Sequence, residues 1–323
     1  MSAPRGRRDQ RDISSGLSRR CRTSRRRHRL SDHKFTRAAA GEIQGLVPMS
    51  YDLSSTHVPP KPPFFRQAAV LWLGGLIGTV AVTPYLTELL ADRFEKAAKQ
   101  MGLHVSVLAA IFVLQTAVPL VVAVGVGLWA ARKLGLRAPV SEAFVLHQPI
   151  GPVIKGFAVI SLIVGTTVGL VVILLDLLVF QPLMTAVELP KLAEPALWKG
   201  ALASLYGGIT EELLCRLFLL SAIALLLKWL SRTGNGVRPW IFWTANLLAA
   251  LLFGLGHLPA AASILPLTPP VVTRVLILNA LPGFAMGWLF WKRGLESAML
   301  AHGVADIVLH VVTPAVAGAV HGG

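Results

Sequence analysis

From about residue 66 onward the chain is built of long apolar runs separated by short polar gaps. The runs lack the period-two alternation of a half-buried strand, and they are apolar on all sides rather than along one stripe. Seven of them reach the roughly 20 residues a helix needs to cross the apolar core of a bilayer. They cover about 67–90, 104–131, 154–180, 199–229, 239–258, 270–291 and 296–318. None alternates as a membrane β-barrel strand must, and no internal repeat is visible. The pattern predicts an all-α fold, a polytopic transmembrane helix bundle of about seven spans over residues 66–323.

Composition agrees with this reading. The 323 residues are 54% hydrophobic and only 15% charged, where soluble domains carry about 25% charged residues. A formal charge of +15 could signal nucleic-acid binding, but residues 1–48 hold 13 Lys or Arg against 4 Asp or Glu, leaving about +6 for everything else. That basic stretch, with the Pro-rich lead-in to residue 65, cannot bury a core and is expected to be a disordered tail. No nucleic-acid partner is expected; the lipid bilayer is.

The charges in the gaps alternate in kind. Arg132, Lys133 and Arg137 follow the second run, Lys228, Arg232 and Arg238 the fourth, and Lys292 and Arg293 the sixth. The intervening gaps are mixed, acidic or uncharged. The excess of positive charge on cytoplasmic loops then puts the N-terminus in the cytoplasm, in a multi-pass protein of the cell (inner) membrane. Tryptophans such as Trp129, Trp229, Trp243 and Trp291 sit beside these charged ends, as interfacial anchors do.

Ionisable groups at bilayer depth cost roughly 3 kcal/mol or more and mark functional sites. The fourth run contains Gly-Gly-Ile-Thr-Glu-Glu-Leu-Leu-Cys-Arg. Glu212 and Arg216, four apart, share a helix face and can pair. Glu211 points elsewhere, without a local cation, and a carboxylate in that position is a candidate general base. The fifth run places Phe253 four residues before His257, with Asn246 eleven before it on nearly the same face. The seventh places His302 four residues before Asp306, where a carboxylate can orient an imidazole. Asp176 and Arg274 lie near run ends, where they can snorkel to water. His310 follows Asp306 by four and reads as packing, and Pro282 should kink the sixth run.

These residues, Glu211-Glu212-x-x-x-Arg216, Phe253-x-x-x-His257 and His302-x-x-x-Asp306, resemble the three signatures of the CPBP family of CAAX prenyl endopeptidases and bacteriocin-processing or immunity proteins. The resemblance covers about residues 199–310. It differs from the CAAX-cleaving pattern at Asp306, where asparagine is usual, and at Cys215 and Leu217 beside Arg216. The resemblance implies an intramembrane protease of the glutamate type, cutting a peptide or lipidated protein substrate without a covalent intermediate. Glu211 would activate water, His257 would hold or share the proton, and His302, oriented by Asp306, would support the oxyanion. Glu212 and Arg216 would stand behind them, with Phe253 and Asn246 as further supports. No cofactor is expected under this reading. The alternative is zinc held by His257, His302 and Glu211, although no His-Glu-x-x-His helix is present. Two readings outside hydrolysis stay open: a catalytically silent membrane scaffold or immunity protein, and a proton-coupled transporter.

Overall fold

A computed structural model describes residues 61–184, 195–232 and 236–321. The expected basic tail lies outside the described residues, apart from the last of its Pro-rich lead-in. Seven helices are long and apolar enough to cross a membrane. They are Phe64–Leu89, Val105–Leu134, Ala158–Leu183, Leu197–Leu230, Pro239–Ala262, Pro269–Arg293 and Leu295–Gly318, the first to seventh spans below. Each falls within a few residues of its expected run, and no strand occurs among the described residues. Two short helices, Pro139–Val145 and Ile150–Lys155, join the second span to the third.

One end of the bundle is basic. Arg132, in the last turn of the second span, donates to the Pro62 carbonyl at 2.8 Å and to Gln67 Oε1 at 2.7 Å. Its guanidinium also lies 5.2 Å from the centre of the Phe64 ring. The end of the second span therefore meets the start of the first. The Leu295 N–H donates to the Arg137 carbonyl at 3.0 Å, which brings the start of the seventh span to the same place. Trp243, early in the fifth span, meets Trp291, late in the sixth, with ring centroids 5.4 Å apart. Successive spans thus run in alternate directions, and the cationic gaps read from the sequence gather at one end.

The opposite end is held by ion pairs. Lys199 pairs with Glu88. Arg274 grips Asp176 with both Nε and Nη2, at 2.6 and 2.9 Å. This corrects the snorkelling expected for those two residues. A bidentate pair is worth more to each charge than a stretched path to water when both sit beside lipid.

Close backbone approaches set the interior, as is usual where lipid removes the hydrophobic drive between helices. A Cβ at Gly78 would stand 2.9 Å from the Leu205 carbonyl and 2.5 Å from Thr210 Oγ1. This lets the first span lie against the fourth, where Thr210 Oγ1 donates to the Gly75 carbonyl at 2.7 Å. Gly165 and Gly169 of the third span face Ala301 and Val308 of the seventh. Leu120, Leu213, Leu217, Ile241, Met286 and Leu289 are buried in the common core.

The fourth span is not a plain α-helix. Residues Tyr206–Glu211 and Leu213–Leu220 are wound as π-helix, between α-helical Leu197–Leu205 and Ser221–Leu230. Wider winding of this kind is common at functional sites. Here it covers the Glu-Glu-x-x-x-Arg motif except Glu212, which lies between the two π-wound segments.

Candidate active site

Glu211 ends the first π-wound segment, and its carboxylate lines the cavity. Two histidines from other spans come to it. His257 follows the long helix of the fifth span, Pro239–Gly256, just before the short helix Leu258–Ala262. Its Nε2 lies 4.0 Å from Glu211 Oε1. His302, on the eighth residue of the seventh span, has its Nε2 3.8 Å from Glu211 Oε2. These separations exceed hydrogen-bond length. They leave a gap between the carboxylate and each imidazole.

The far side of each imidazole is fixed. His257 Nδ1 stands 2.8 Å from the Phe253 carbonyl. A carbonyl oxygen only accepts, so Nδ1 carries the proton. Nε2 is then the nitrogen turned toward Glu211. His302 Nδ1 stands 2.7 Å from Glu212 Oε1, and Glu212 is held by Arg216 at 2.9 Å. The sequence reading expected Asp306 to orient His302. Instead Glu212 takes that place, and Asp306 Oδ1 lies on the Nε2 side at 3.7 Å. Glu212 Oε1 comes within 2.7 Å of Nδ1 from the neighbouring span, while Asp306, one turn on along His302's own helix, reaches only the Nε2 side.

Arg216 supports three things at once. It pairs with Glu212, donates from Nη2 to the Gly283 carbonyl at 3.0 Å, and lies 4.9 Å from the Phe253 ring centre. Phe253 in turn meets His257 edge-on at 4.6 Å. The Phe-x-x-x-His spacing thus sets an aromatic wall between the buried cation and the histidine. Asn246 does not join the cluster. It sits about 16 Å along the fifth span from His257, at 1.5 Å per residue, and donates to the Phe284 carbonyl at 2.9 Å. Its role is to bind the fifth span to the sixth.

Counting residues from Lys228 and Arg293 puts Glu211 and His302 at different depths, yet they meet. The fourth span has 34 residues, about 51 Å as plain α-helix, against an apolar core of about 30 Å. The seventh span starts immediately after Arg293, through Gly294 alone, whose φ of 99° is open to glycine.

Glu211, His257, His302, Asp306 and Phe253 all line one cavity of about 580 Å³. Among the further lining residues, Tyr85, Tyr206 and Gly207 are not marked as site residues by any sequence pattern. His310, read as packing, also lines it and lies 3.5 Å from the Tyr85 hydroxyl. A lone tyrosine late in an apolar run carries no signal of its own; only the third dimension brings Tyr85 opposite His310. Gly207 is informative. A Cβ there would overlap the Asp306 carboxylate and stand 3.2 Å from His302 Nε2. In a peptidase built on this cavity, Gly207→Ala should therefore lower cleavage by about 100-fold, the scale of a 1 Å misplacement. The melting temperature should hold, because alanine favours helix. Activity equal to wild type would mean that the Asp306 carboxylate is not pinned at this wall.

Among the described residues, no group of three or more His, Cys, Asp or Glu is placed to hold a metal ion. The Glu211 oxygens and the two Nε2 atoms stand wider apart than the roughly 3.4 Å set by tetrahedral zinc bonds of about 2.1 Å.

Residues 193–308 match the family described as type II CAAX prenyl endopeptidase, Rce1-like. The match takes in the fourth, fifth and sixth spans and most of the described site, about a third of the chain. It falls on the CAAX-cleaving side of the resemblance in spite of Asp306. No curated protein and no solved structure matches the chain.

Proposed function

We propose that this chain, a multi-pass bundle carrying a segment matched by the CAAX endopeptidases, hydrolyses a peptide bond of a membrane-embedded or lipid-anchored substrate in the Glu211 cavity. The observation that carries the reading is the convergence of His257 and His302, from separate spans, on the two oxygens of Glu211 at 4.0 and 3.8 Å. Lipid penalises each of these groups singly, and a shared hydrated cavity removes the penalty from all three.

In this reading water sits between Glu211 and His257. Glu211 takes one of its protons, while the His257 Nε2 lone pair accepts the other as a hydrogen bond and turns the attacking lone pair toward the scissile carbonyl. The carbonyl carbon becomes tetrahedral. His302 in its imidazolium form donates from Nε2 to the new oxyanion. Glu212 at Nδ1 and Asp306 at 3.7 Å balance that positive charge. Glu211 then passes its proton to the leaving amine, so no net proton enters or leaves the site. Donors aimed at the developing charge are worth about 2.7–4 kcal/mol each in such chemistry.

The apolar side of the cavity, with Val82, Leu86, Phe112 and Val172, favours a substrate that is itself apolar or lipidated. Tyr85, His257 and His310 lie toward the bundle end away from the basic loops. With those loops and the N-terminus in the cytoplasm, in the inner membrane, the cavity belongs to the opposite half of the bilayer.

One observation favours the zinc version. Both histidines have Nδ1 tied to an acceptor, the arrangement that fixes metal-ligating imidazoles. Dialysis of the purified protein against a strong chelator, followed by assay on a reporter peptide, separates the two. Full activity in metal-free buffer is expected. Loss of activity that added zinc restores would replace the glutamate mechanism by the metal one.

A further inference from the structure

The basic end of the bundle holds a second cavity, of about 360 Å³. It opens between the loop after the second span, the turn at Val153–Phe157 and the junction of the sixth and seventh spans. It shares no lining residue with the cavity around Glu211.

Its chemistry is divided. The rim carries Arg137, Lys292 and Arg293, and among the described residues no acidic one lines it. Arg137 is engaged by Glu142 at 2.5 and 2.9 Å. Lys292 has its Nζ 3.6 Å from the Trp291 ring centre. Arg293 makes no hydrogen bond or ion pair among the described residues. Two of the three cations thus lack an anion among the described residues. Beneath the rim, Leu136, Phe157 and Phe290 are buried and make an apolar floor.

A free anion would use the rim and leave the floor unexplained. A soluble acidic peptide would do the same. A phosphodiester carrying acyl chains uses both: its charge meets the rim and its glycerol and first methylenes cover the floor. The third span leads away from the mouth, and its outward side offers Val159 and Ile163, 67% and 56% exposed and four apart. That stripe is a path for an acyl chain. Trp243 and Trp291 mark the level of the headgroups.

We propose that this cavity seats the headgroup of an anionic phospholipid, with Lys292 and Arg293 on the phosphate and an acyl chain along the third span. The bound lipid braces the Gly294 junction, from which the span bearing His302 starts.

The test uses the purified full chain in neutral detergent. Melting is followed with added phosphatidylglycerol, phosphatidylcholine or inorganic phosphate. Wild type should rise by about 2–4 °C with phosphatidylglycerol alone, a modest ligand-linked shift for a chain of this size. The exposed double variant Lys292→Gln with Arg293→Gln should melt normally without lipid and lose the shift. Lys228→Gln, at the same end but outside the cavity, should keep it. No shift in wild type, or an equal shift in the double variant, would overturn the site. A full shift with inorganic phosphate would overturn the lipid as its occupant.

Discussion

Replacing Glu211 by glutamine should stop cleavage of a reporter peptide while leaving the protein folded in the membrane. Glutamine keeps the size and the polarity of the side chain but cannot take a proton. Loss of a positioned general base costs about 10²–10⁴ in rate. The substitution should be benign for folding, since Glu211 faces the cavity and its two histidines at 3.8–4.0 Å rather than a buried cation. The check is a rate measured beside a melting curve for the same preparation. A variant that melts normally and still cleaves would remove Glu211 from the chemistry. If wild type cleaves nothing and the variant changes ion-coupled uptake instead, the transporter reading gains; if neither changes, the scaffold does.

Arg216→Met is expected to be the most damaging substitution for stability. Arg216 is 2% exposed and Glu212 0% exposed, and they pair at 2.9 Å. Removing one partner of a buried pair leaves an uncompensated charge, at a cost of about 3–5 kcal/mol. Glu212 has little else to turn to: its Oε2 has no hydrogen-bond partner among the described residues, and its Oε1 meets only His302 besides. The loss of the bond to the Gly283 carbonyl and of the contact with Phe253 adds to this. The companion Glu212→Gln should rescue part of the damage, because it discharges the orphaned carboxylate while its amide oxygen can still accept from His302 Nδ1. Denaturation of the two single variants and the double gives the coupling directly. A double variant no more stable than Arg216→Met would mean that the cation acts through packing alone.

The spans were legible because membrane helices need only length and hydropathy, and all seven lie where the apolar runs are. The meeting of Glu211, His257 and His302 was legible for a related reason: ionisable groups in lipid must find one another. Asn246 shows where face-counting stops. Its phase matches His257, yet its height along the helix takes it to Phe284 instead. The contact of Glu212 with His302 Nδ1 joins two distant spans, and the local His302-x-x-x-Asp306 spacing carries no sign of it. Nothing in Tyr-Gly-Gly-Ile-Thr-Glu announces its π-winding. The span packs closely against the first and the seventh there, with Gly78 and Gly207 allowing the approach. The pairing of Asp176 with Arg274, and the contact of Tyr85 with His310, are likewise encounters between distant segments that no local pattern encodes.

The most direct measurement is a digest of a membrane-peptide library by the purified protein in water enriched in oxygen-18, read by mass spectrometry beside Glu211→Gln. Activation of water in the cavity predicts one heavy oxygen in each newly formed C-terminal carboxylate, no acyl adduct on the protein, and a silent variant. Cleavage that proceeds equally in Glu211→Gln, or an adduct trapped on a side chain, would contradict it.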